Sequence, residues 1–192
     1  MITRLLASPA TAFLLTTITI ASLTPAAAQT AAQHAALASD STFLQTVGSL
    51  GLLQAKLAKL AQTQGSSDVV RDFAKRMATE YAQANEQLAA GAKQAAYPRP
   101  VLLRQHQQIF DRFNAMGRSA FDKSYMAEMV SEHNETARLF EQEAKDGRIA
   151  SLKQLAAGML SDVQQRQSLA SQTASSIGAD VTAATSAARP GS

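Results

Sequence analysis

Residues 120–147 read AFDKSYMAEMVSEHNETARLFEQEAKDG, and the reading of this stretch decides the fold. Met126, Met129 or Val130, His133, Ala137, Phe140 and Ala144 recur every three or four positions, so they share one face of a helix, and most charged residues fall elsewhere. Ser119 is a natural N-cap for this helix and Gly147 a natural stop, so the spacing predicts a helix from about Ser119 to Asp146. A single polar residue, His133, interrupts the apolar stripe near its middle.

The same pattern appears on either side. A first helix, capped by Asp40 or Ser41 and running to about Gln64, presents Phe43, Val47, Leu50, Gln54, Leu57 and Ala61. Gly65-Ser66-Ser67 breaks it, and Ser67 caps a second helix to about Ala95 that presents Val70, Phe73, Met77, Tyr81, Ala84 and Leu88. Tyr97-Pro98-Arg99-Pro100 is a stiff extended connection, because a residue before proline is pushed out of the α region. A shorter helix from about Val101 to Met116 follows, with Leu102, Ile109, Phe110 and Phe113 as its apolar face and His106 on an exposed side. The last helix, about Ala150 to Ser176, presents Leu152, Leu155, Met159, Val163, Arg166 and Ala170. Strand-like alternation is absent, so the expected fold class is all-α: a four-helix bundle with one extra short helix.

The chain ends differ from this core. Residues 1–28 read as a secretory signal peptide: Arg4 is the only charge, an apolar run extends from Ala12 to Leu23, and Pro25-Ala26-Ala27-Ala28 offers a small-residue cleavage site. Cleavage after about Ala28 would send the mature chain to a periplasmic space with no stable membrane span, because the apolar run is short and broken by threonines. Residues 29–40 form an Ala-rich flexible lead, 41–176 the bundle domain, and 177–192 a small polar disordered tail. The chain has no cysteine, which excludes disulfides, thiol chemistry and a cysteine-linked lipid anchor. The net charge of +3 falls to +2 once Arg4 leaves with the signal. The basic residues are dispersed among acidic ones and aromatics are few, so no nucleic-acid partner is expected.

Several segments together resemble a known family: FLQTVGSLGLLQAKLAKLA (43–61), VVRDFAKRMATEYAQANEQL (69–88), QHQQIFDRF (105–113), the stretch quoted first, and SLKQLAAGMLSDVQQRQSLA (151–170). They look like the exported bacterial domain-of-unknown-function family 4142, and the likeness covers Ser41 to about Ala170. It implies a ferritin-like bundle, export, an outer-membrane label without a residue basis here, and polar histidines in the core. No established activity comes with it. Members similar to this chain commonly carry Glu at the place of Gln54, His at that of Tyr81, an acidic-His pair at Glu132-His133, and His near Arg166, so this chain departs from the pattern at three of the four positions.

Each long helix thus carries one polar residue in its stripe, Gln54, Tyr81, His133 or Arg166, and up-down-up-down packing would align the four in one layer. A ferritin-like metal site wants several carboxylates and histidines projecting inward, whereas here an arginine cation stands in the layer. No cofactor and no catalytic residue is therefore expected, and the first reading is a hydrogen-bonded core layer that fixes helix register. In that layer Gln54, Tyr81 and a neutral His133 bridge one another, and Asp162, one turn earlier, or Glu132 approaches Arg166, or else the arginine side chain snorkels to the edge; Glu80 or Glu132 would have to turn inward to make a metal site. A sharper alternative is a pocket in which Arg166, Tyr81 and His133 hold a small anionic ligand. On either account the protein is expected to be a non-catalytic envelope or stress-associated domain with a protein or small-anion partner. The competing class is a metal-binding ferritin-like oxidase or storage protein using His133 and nearby acids.

Overall fold

Four long amphipathic stripes can bury their apolar faces only against one another, and the computed structural model, which describes residues 26–180, packs them in that way. The helices are α1 (Ala26–Gln64), α2 (Asp68–Gln94), α3 (Arg104–Asn114), α4 (Arg118–Asp146) and α5 (Ala150–Ser176), and no strand occurs among the described residues. The architecture is all-α, a bundle of α1, α2, α4 and α5 with α3 as the extra short helix. The signal segment up to residue 25 and the tail beyond residue 180 lie outside the described residues. No helix among the described residues is long and apolar enough to cross a membrane.

The chain direction differs from the expected up-down-up-down order. Phe43 near the start of α1 meets Phe140 near the end of α4, edge-on at 5.3 Å between ring centroids. Asp122 at the start of α4 takes the N–H groups of Ser66 and Ser67 just before α2. So α4 runs in the same sense as α2, diagonally across the bundle from it, and the four long helices go up, down, down, up. The crossover over 95–117 explains this: its extended residues 97–103 cover about 23 Å and α3 about 16 Å, together about the 40 Å length of α2. That length carries the chain back to the far end of the bundle before α4 begins. All neighbouring long helices remain antiparallel, so their midpoints still align.

The crossover is pinned along α1 by specific contacts. The Leu103 backbone N–H donates to Ser49 Oγ at 2.8 Å, and Ser49 Oγ shares a further hydrogen bond with His106 Nδ1 at 2.6 Å. His106, expected to be exposed, is 5 % exposed, because the α3 face that carries it lies against α1 and not against solvent. Gly48 allows this approach, since a Cβ there would stand 2.2 Å from Pro100 Cβ. Lys56 adds a bond to Gln107 and lies 4.2 Å over the Phe110 ring.

Helix ends are capped across the bundle more than from within. Asp40 does not begin α1, which already runs from Ala26; its Oδ2 accepts from the N–H groups of Arg148 and Ile149 at the start of α5. Helix formation thus runs through the expected lead, favoured by its alanines. Ser67 makes no side-chain cap bond, and α4 begins after Gly117, not at Ser119. At the C-terminal ends, α2 and α5 close with the same Schellman bonding: Tyr97 N–H to Ala92 O with Ala96 N–H to Lys93 O, and Ala179 N–H to Ala174 O with Gly178 N–H to Ser175 O. The residue in the left-handed conformation is Gly178 at α5 (φ 62°) but Ala96 at α2 (φ 59°). An L side chain in that region costs about 1–2 kcal/mol, so Ala96→Gly is expected to stabilise the protein by about 1 kcal/mol, read as a raised midpoint in urea.

The core divides into two apolar clusters. One gathers Leu57, Phe73, Met77, Phe113, Phe121 and Met129; the other gathers Phe43, Val47, Leu88, Phe140, Leu152 and Met159. Tyr81, His133 and Arg166 fall where the two clusters join, and Gln54 adjoins Leu53 of the first.

Candidate functional site

All four stripe-breaking residues are buried: Gln54 1 %, Tyr81 5 %, His133 1 % and Arg166 7 % exposed. Burial follows directly from their place in the apolar period, but their pairing depends on geometry between helices. His133 Nδ1 lies 2.6 Å from the Met129 carbonyl, one turn earlier on α4. A carbonyl only accepts, so Nδ1 carries the proton and donates; this tautomer is assigned from the bonding. Nε2 is then left with its lone pair, and the Tyr81 hydroxyl donates to it at 3.0 Å. The two rings meet edge to face, 5.8 Å apart.

Burial holds His133 neutral. Its pKa is lowered to about 4, first by loss of solvation, with Arg166 contributing in the same sense and the Met129 bond opposing. Tyr81 is pushed well above the ordinary phenol range by burial, against the pull of Arg166. At neutral pH the pair is therefore an uncharged donor and an uncharged acceptor, with no proton poised to move.

Arg166 comes at this pair from the α2–α5 side, its guanidinium 5.4 Å over the Tyr81 ring. Its ion-pair partner is Glu80, at 3.8 Å, and Glu80 also accepts from Arg76 Nε at 2.6 Å. The expected approach of Asp162 or Glu132 to Arg166 does not occur. Asp162 lines the same groove of about 230 Å³ with Arg76, Glu80 and Arg166, but Glu80 holds the pairing position. Glu132 is near enough to help raise Tyr81 but forms no ion pair with Arg166; its carboxyl is hydrogen-bonded to Glu128, which is paired with Arg112 of α3. Burial and the neighbouring Glu128 and Glu135 raise Glu132 to about 7.

Gln54 does not join the network. Neither the nitrogen nor the oxygen of its buried amide has a hydrogen-bond partner among the described residues, and both nitrogens of His133 are engaged by Met129 and Tyr81. Tyr125, which the apolar stripe did not single out, is also fully buried with an unpartnered hydroxyl. Its signal was its spacing, four residues after Phe121 and four before Met129, which returns it to the core face.

This donor set does not fit a ferritin-like metal. Both nitrogens of His133, the histidine of this layer, are used, Gln54 offers a weak neutral oxygen, and Arg166 brings a fixed positive charge. Among the described residues no three His, Asp or Glu side chains are placed to share an ion. The internal void beside Tyr81 and Arg166 is about 10 Å³, about the space one water needs. A small anion would have to enter from the outer groove and displace Glu80 from Arg166.

In comparison with known proteins, a family model described as "Domain of unknown function (DUF4142)" matches residues 24–173. No curated protein and no solved structure matches the chain.

Proposed function

Since the chain belongs to the DUF4142 family, whose description assigns no activity, we propose from its own residues that it is an exported, periplasmic, non-catalytic helical-bundle protein with a binding or structural role in the cell envelope. The observation that carries the inert interior is the closed bonding of His133, donor to Met129 O and acceptor from Tyr81, beneath the guanidinium of Arg166. A lone pair already filled by a hydroxyl proton offers nothing to a metal or a substrate. The layer instead specifies register: sliding one helix by a turn would strand a buried Tyr hydroxyl, an imidazole nitrogen and a guanidinium, each at a cost of about 1–3 kcal/mol or more. On this reading the protein works by offering a stable helical surface to a partner. Export rests on the signal-like residues 1–28.

Elemental analysis of the purified protein tests the inert interior. The expected result is less than stoichiometric iron, zinc or manganese and no change in unfolding midpoint with chelator. A stoichiometric metal that disappears in a His133→Ala variant would overturn the reading in favour of a metal-dependent oxidase or storage protein. Export is checked separately by sequencing the N-terminus of the periplasmic protein, which should begin at about Gln29.

A further inference from the structure

At the end of the bundle where α1 passes the α4–α5 turn, a cleft of about 740 Å³ is lined by Ala38, Asp40, Phe43, Leu139, Glu143 and Gly147. It lies away from the polar layer, and its two buried acids take no part in the role proposed above. Glu143 is only 4 % exposed, and its Oε1 is buried with no hydrogen-bond partner. Such an orphaned carboxylate oxygen is costly unless something donates to it. Asp40, also buried, satisfies one oxygen with the Arg148 and Ile149 N–H groups. Gly147 keeps space for Glu143, since a Cβ there would stand 2.5 Å from Oε1. Glu143 also sits in the last turn of α4, where the helix dipole adds negative potential.

We propose that this cleft binds an organic cation, a primary alkylammonium, with its ammonium donating to Glu143 near Asp40 and its chain lying along Phe43, Leu139 and Ala38. Two carboxylates repel an anion. Even with exposed Asp146 at the rim the acids are too few for a hard divalent ion, which takes six or more oxygens, and among the described residues no three acids are placed to share an ion. An ammonium brings three donors to the orphaned oxygen, and the apolar walls suit an alkyl chain where they would not suit a hydrated metal ion.

The charge of the site depends on pH. Burial and Asp40 raise Glu143 to about 7, with Lys153 of α5 opposing. Lys153 donates to the Lys145 carbonyl, and exposed Asp146 and Arg148 also line the cleft. Glu143 is thus ionised at about pH 8 and protonated at about pH 5.5, so an ammonium should be released on acidification.

Titration calorimetry of the whole purified chain with butylamine, and with butanol as its uncharged counterpart, tests this. Butylamine is expected to bind at about pH 8 and to weaken about ten-fold or more at about pH 5.5. Glu143→Gln should lose affinity by a similar factor while keeping its helical circular dichroism. Should that variant fail to fold, Leu139→Lys, which sets a cation at the half-buried wall, should abolish binding in its place. Heats for butylamine equal to those for butanol, or full affinity in the variant that folds, would overturn the proposal.

Discussion

Acidification from about pH 7 to about pH 4 is expected to remove about 3 kcal/mol of stability through His133, a loss absent from a His133→Gln variant. A free imidazole titrates at about 6.5, but His133 titrates at about 4 in the folded chain because it is buried among Tyr81, Met129 and Arg166. Between those values the unfolded chain binds the proton and the folded chain does not. The stability that depends on neutral His133 is therefore complete above about pH 6.5 and is lost as the pH falls towards 4. Protonation would also put a donor at Nε2 against the Tyr81 hydroxyl, which now donates there. Glutamine carries no titratable proton and can still accept from Tyr81, so the difference in unfolding free energy between the two proteins, followed from neutral to acid, isolates His133. His106, whose pKa burial also lowers, acts in the same direction. Glu132 has the opposite sign. Its folded pKa of about 7 lies above the ordinary carboxylate value, so the folded chain holds the proton longer and loses stability as the pH rises through that range. Glu132→Gln should therefore stabilise the protein at about pH 8 and leave it nearly unchanged at about pH 4. A His133→Gln difference that stays flat across the acid range would mean that the imidazole is hydrated and the layer open.

Removing Glu80 is expected to destabilise the protein more than removing Arg166. Arg166 has a side chain only 8 % exposed, and Glu80 is its ion-pair partner at 3.8 Å. Breaking a fully buried pair by deleting one member costs about 3–5 kcal/mol, whereas replacing the charge by an apolar residue of similar size is often neutral. Glu80 keeps a quarter of its side-chain surface, so solvent screening brings the cost below that range, to about 2–3 kcal/mol for Glu80→Ala. Arg166→Met should cost less than about 1 kcal/mol, because the methionine can fill the space beside Tyr81, Met159 and Val163 without a charge to solvate. The double variant should recover most of what Glu80→Ala loses. Urea unfolding of the three proteins measures the coupling. If Arg166→Met were the damaging change and Glu80→Ala harmless, the guanidinium would be making bonds in the layer that the ion pair does not represent.

What the amino-acid order determined by itself was everything that repeats with the helical period. The breaks at Gly65 and Gly147, the range of α5, and the burial of Gln54, Tyr81, His133 and Arg166 all follow from spacings within one helix, where neighbours three and four apart are fixed by local geometry. The tertiary structure alone decided which groups face one another across helices. The length of the 95–117 crossover set the direction of α4. The lie of α3 on α1 buried His106 against Ser49. The α2–α5 packing gave Arg166 to Glu80 and not to Asp162, and the meeting of α1 with the α4–α5 turn made Asp40 a cap for another helix. Each of these depends on the rotation and rise of one helix against another to within a few ångströms, and the apolar period specifies only which face turns inward.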